Sequence, residues 1–148
     1  MRIRFVPYRE KKAWISMLLL LAVSAVYSFF MVDAYHVPDP NLMYLLHLLT
    51  LALAAFIVFE VVLLFLAARL SPDDPRGPID ERELLIELKA RRLAYFVLMS
   101  LVVLITFAIT HLSSHGDTWG IGNLYLGALV LAEVVRFAMQ IAYFRREA

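Results

Sequence analysis

Three charged side chains and a nearby amide lie deep within otherwise apolar stretches of the chain: Glu60, Glu133, Arg136 and Gln140. A charged side chain in hydrocarbon costs about 2.5–3.5 kcal/mol on insertion scales, so such groups pair, line a polar cavity, or carry protons or ions. Glu133, Arg136 and Gln140 stand at offsets of 0, 3 and 7, which at 100° per residue gathers them within about 60° of one helix face. Glu60 precedes Arg69 by nine residues, as Arg136 precedes Arg145. With both of those arginines at the inner membrane boundary, Glu60 and Arg136 share a depth. A Glu60–Arg136 pair is then the simplest neutralisation, leaving Glu133 near mid-membrane, where it either shares Arg136 or stays neutral. The chemistry this layer would support is a helix-packing clamp or, alternatively, a small proton-coupled transporter or ion-binding protein.

The histidines form a second constellation. His36, His47, His111 and His115 all fall at one end of the apolar runs. His111 and His115 are spaced i,i+4, and His47 lies a turn or more inside its run. Neutral imidazoles bind zinc, copper or nickel, and histidines from different helices ligate haem iron. A haem-binding site would use His47 and His111, and a transition-metal site His111, His115 and His36. The spacing without an accompanying glutamate or cysteine motif is also that of interface histidines at a helix C-terminus, and the expected cofactor is none.

Other chemistries lack their residues. Without cysteine there is no disulfide, thiolate metal site or cysteine nucleophile. No phosphate-binding loop, dinucleotide glycine fingerprint or nucleophile elbow is present. Ser113 and Ser114 near His111 have no orienting acid, so the chain reads as a non-enzyme. A net charge of +1 suggests no nucleic-acid partner.

The elements that must hold these groups are membrane helices. Of the 148 residues, 62% are hydrophobic and 18% charged, and mean hydropathy is +0.75. Soluble domains run at about 45–50% apolar, and a soluble fold of this size has too little interior for the excess. Four runs reach the ~20 apolar residues that a bilayer core requires: about 14–32, 42–68, 93–110 and 121–144. The first is too long for a signal-peptide core and no small-residue cleavage pattern follows it, so it reads as a retained anchor. In lipid, helices and closed barrels alone satisfy their backbone groups, and none of these runs alternates as a barrel strand does.

All but one of the 14 basic residues lie before the first run, between the second and third, or after the fourth. The positive-inside rule therefore places both termini and the central loop in the cytoplasm. Short outer connections make two antiparallel hairpins, an all-α integral membrane protein built as a four-helix bundle of a single membrane domain over 1–148. Glu-Val-Val recurs at 60–62 and 133–135, yet unequal distances from the helix entries argue against simple duplication. Ser24 and Ser28 offer a small-residue face for a homo-oligomer or a membrane-protein partner.

The central polar stretch divides in two. Residues 71–78 contain three prolines and a glycine and act as a cytosolic hinge. From Asp80 the signals reverse: Asp80 and Glu83 form a capping-box variant, acids fill the first turn, and Lys89, Arg91 and Arg92 follow. Glu87 and Arg91 are a favourable i,i+4 pair, and Leu84, Leu85 and Leu88 make an apolar stripe. The spacing predicts an interfacial helix running on into the third transmembrane helix, about 80–115, ending at Gly116.

Asp80-Glu-Arg-Glu83, Ile86, Lys89-Ala90 and Ala94-Tyr95 ahead of an apolar run resemble small prokaryotic four-helix membrane proteins of unknown function. Those carry a similar D-E-R-E…I…K-A stretch between transmembrane pairs. The resemblance covers about 20 residues and the four-helix layout. It implies the hinge–helix arrangement and a prokaryotic plasma membrane, and it brings no catalytic residue. Together these features give the expectation of an accessory, regulatory or interaction protein.

Overall fold

The computed structural model describes residues 8–35, 42–70, 81–112 and 118–146. All are helical: α1 (Tyr8–Tyr35), α2 (Leu42–Leu70), α3 (Glu81–Leu112) and α4 (Thr118–Arg146). Each is long and apolar enough to cross a membrane. The expected hinge at 71–78 and the Gly116 cap lie outside the described residues.

The helices outrun the apolar segments that define them. α1 starts six residues before its apolar run and includes Arg9, Glu10, Lys11 and Lys12. Glu10 is in the first turn, where a carboxylate suits the helix dipole. α3 begins at Glu81, with Glu81 and Glu83 in its first turn, and continues unbroken to Leu112. The expected interfacial segment and the third span are thus one helix of 32 residues, about 48 Å at 1.5 Å per residue. The residues before the span supply good helix formers and correctly placed charges, and nothing in the sequence there breaks the ladder.

The chain forms two compact units, each an antiparallel hairpin: α1 with α2, and α3 with α4. In the first hairpin, Ala13, Ser16, Tyr27, Met31 and Leu45 are buried. In the second, Ile86, Ala90, Ala94, Ala128, Ala132, Phe137 and Ile141 are buried. Small residues at the seam let helices approach closely, which is how helices associate in lipid. Large apolar side chains such as Phe29, Leu51, Ile57, Val103 and Phe107 lie exposed, an outward surface that suits hydrocarbon and not water. Hydroxyls on this surface bond to their own helix: Thr50 donates to the Leu46 carbonyl, Thr106 to Val102 and Thr110 to Thr106, each at 2.8 Å.

Candidate functional site

Two interhelical bonds mark the register of the hairpins and hence which residues stand level across each. In the first hairpin the Ser16 hydroxyl donates to Glu60 Oε1 at 2.9 Å. Ser16 is fully buried at 0% exposure and Glu60 is half-buried. Lys12 stands four residues before Ser16 on α1, so the pair lies about 6 Å inward from the basic end of that helix. A hydroxyl facing a carboxylate is a charge-assisted bond, shorter and stronger than a neutral one.

In the second hairpin Thr106 Oγ1 and the Tyr125 hydroxyl share a hydrogen bond of 2.9 Å. Counting toward the basic end on each antiparallel helix, eleven residues bring Arg136 level with Tyr95 and eight bring Glu133 level with Leu98. Arg136 is therefore about 4.5 Å, and Glu133 about 9 Å, inward from the level of Arg92. The mid-plane of a ~30 Å core would be about 15 Å in. On this register α3 carries its basic residues further along the hairpin than α4 does.

Arg136 and Glu133 form an ion pair of 2.6 Å between Nη2 and Oε2, spaced i,i+3. The guanidinium also lies 4.4 Å from the centre of the Phe137 ring, a cation–π contact. Its Nε is buried and has no hydrogen-bond partner. The carboxylate faces outward, with the Glu133 side chain 47% exposed against 25% for Arg136. Gln140 is half-buried one turn further along. The expected sharing of Arg136 by Glu133 is present within α4. Within the first hairpin Ser16 engages Glu60, and within the second Glu133 engages Arg136.

His47 is exposed on α2, and its Nδ1 bonds to the Met43 carbonyl one turn back. With Nδ1 carrying the proton, Nε2 is the lone-pair nitrogen, the tautomer that a metal or haem ligand presents. His111 lies in α3, and its side chain, together with His36 and His115, is outside the described residues. No cluster of three metal-ligating side chains gathers among the described residues.

The basic ends repeat one device. Arg69 packs 4.9 Å from the Phe65 ring centre and Arg92 lies 5.8 Å from that of Phe96. In each case the aromatic ring is one turn closer to the centre of the span, so the guanidinium folds back over its face. Beyond Arg92, α3 continues for eleven residues, about 17 Å. Here Ile86 and Ala90 are buried at 2% and 0% exposure, whereas Leu84, Leu85 and Leu88 are exposed. At 100° per residue the two sets point about opposite ways. The Glu87–Arg91 ion pair, 2.6 Å, borders the leucine stripe. This segment is therefore not a lone amphipathic helix lying flat with one apolar face. It is apolar on two faces, one of them already covered.

Length, apolarity and pairing of these helices define the class: a helical, multi-pass membrane protein. No family model matches the chain, and neither a curated protein nor a solved structure is similar to it.

Proposed function

We propose that the chain is an accessory or regulatory interaction protein of a prokaryotic plasma membrane, non-enzymatic, with both termini and the start of α3 in the cytoplasm. In that membrane the two hairpins form a four-helix bundle, and the partner is a membrane or membrane-associated protein. One observation carries the reading: the Leu84–Leu85–Leu88 stripe stays exposed on a segment whose opposite face, Ile86 and Ala90, is buried. A segment fixed on one side and apolar on the other presents a preformed surface, and a preformed surface binds without first ordering its own backbone. The polar rim supplied by Glu87, Lys89, Arg91 and Arg92 suits a protein interface with an apolar centre. The basic distribution of the chain supports the orientation.

The test is a photoreactive amino acid at Leu85 or Leu88, with Leu53 on α2 as a lipid-facing control, expressed in a prokaryotic host that encodes the protein. Discrete protein adducts from the α3 positions, lost in Leu84→Glu/Leu88→Glu and absent from position 53, are the expected result. Lipid adducts alone from all three positions would overturn the interaction reading.

A further inference from the structure

The first hairpin carries an apolar groove that its packing leaves unfilled. Its volume is about 390 Å³, and Leu19, Val23, Tyr27 and Phe30 of α1 face Ala52 and Phe59 of α2 along it. The eleven steps from Leu19 to Phe30 give it a length of about 17 Å, close to the half-thickness, about 15 Å, of a bilayer core. Ala22, Ala52 and Ala55 make it possible, since larger side chains at those places would occupy the space.

The groove runs toward a carboxylate. Taking Ser16 as zero, Val23, Tyr27 and Phe30 fall within about 40° on the same face of α1, so the serine continues the groove's line one turn beyond Leu19. At that point Ser16 holds Glu60 Oε1, and Glu60 directly follows Phe59, which lines that end. Among the described residues of its own hairpin, Glu60 has the Ser16 hydroxyl as its partner and no cation.

We propose that this groove binds a lipophilic monocation: a single long alkyl chain in the groove, with an ammonium head between the Glu60 carboxylate and the Phe59 ring. The shape selects a linear chain of about one leaflet's length. The apolar lining excludes a second polar group along the tail. The carboxylate selects positive charge, because an ammonium brought beside it in hydrocarbon relieves the cost of keeping either ion there alone. The aromatic ring favours an alkylated ammonium, whose charge is spread over carbon and weakly hydrated. The site is separate from the leucine stripe of α3 and does not rest on the docking role argued for it.

The test uses the full chain in lipid nanodiscs, with empty nanodiscs subtracted as background. A fluorescent hexadecyl-trimethylammonium probe is titrated against wild type, Glu60→Gln, Ala55→Phe and Ser16→Ala, each checked by thermal melting. Saturable binding to wild type is expected, weakened roughly tenfold or more by Glu60→Gln, as expected for losing a charged partner, and comparably by the plug at Ala55. Ser16→Ala keeps the carboxylate and is expected to keep binding. On wild type alone, unlabelled hexadecyl-trimethylammonium should displace the probe, while hexadecanol, hexadecanoate and tetramethylammonium should not. Equal affinity in Glu60→Gln, displacement by the alcohol as effective as by the ammonium, or no saturable binding to wild type would each overturn the proposal. The wild-type competition decides the matter even where a variant fails to fold.

Discussion

Replacing Ser16 by alanine tests the logic of the first hairpin most directly. Ser16 is wholly buried and its hydroxyl is the described donor to Glu60. The change removes one oxygen and leaves the helix seam otherwise filled. In water-soluble proteins a hydrogen bond to a charged group contributes about 1.5–3 kcal/mol. Within membranes the measured coupling between such side chains averages about 0.6 and reaches about 1.7 kcal/mol, since the separated helices find other partners. Glu60 is half-buried and not sealed in, so we expect about 1 kcal/mol, roughly a fivefold change in the folding equilibrium. The sharper expectation concerns context. In a Glu60→Leu background the serine has no carboxylate to serve, and Ser16→Ala should then be close to neutral. Reversible unfolding in bicelles, followed by steric trapping of the two hairpin helices, measures all four corners of the cycle. Equal losses for Ser16→Ala in both backgrounds would refute the claim that this bond joins α1 to α2.

Glu133→Gln should destabilise the second hairpin by about 1 kcal/mol, and the Glu133→Leu/Arg136→Met double variant by less, because a broken ion pair strands a charge whereas an apolar replacement does not; equal unfolding midpoints for both would contradict this. Ala90, at 0% exposure, should not accept leucine without a loss of about 1–3 kcal/mol, while Leu88→Ala, on the opposite face, should leave stability within about 0.5 kcal/mol; thermal melts in one detergent compare them. The chain has no cysteine, so single cysteines at Asp74 and Asp117 report topology cleanly: impermeant maleimide added outside should label position 117 and spare 74, and the reverse pattern sinks the proposed orientation. Finally, protein purified after expression with haem and metals supplied should be colourless and metal-free; a Soret band, or near-stoichiometric copper, zinc or iron lost in His47→Ala and His111→Ala, would replace the interaction reading with a redox one.

How far the sequence reaches can be judged from particular residues. The number of helices and their order follow from four apolar runs, and the start of α3 at Glu81 falls one residue from the Asp80 cap. The Glu133–Arg136 pair is local, spaced i,i+3 on one helix, so spacing brings it within reach as one of two outcomes for Glu133. Ser16–Glu60 is different. A single serine in an apolar helix leaves no periodic mark, and which residue it meets depends on hairpin register, set by packing of both helices rather than by either. Which residues of α3 stand level with Glu133 is equally hidden, since it follows from the Thr106–Tyr125 contact and not from spacing along α4. The groove was invisible because a void is a property of facing surfaces, and Ala52 and Ala55 look like ordinary apolar residues in a chain rich in them.

The unbroken course of α3 has a mechanical consequence. A rod of about 48 Å that is anchored by its apolar part cannot reorient within the bilayer without moving its protruding end. A change in tilt of about 10°, well inside the range that thickness mismatch produces, displaces a tip about 17 Å beyond the pivot sideways by about 3 Å. Leu84, Leu85 and Leu88 sit on that tip. Bilayer thickness and the position of the leucine stripe are thus geared together, without a hinge between them.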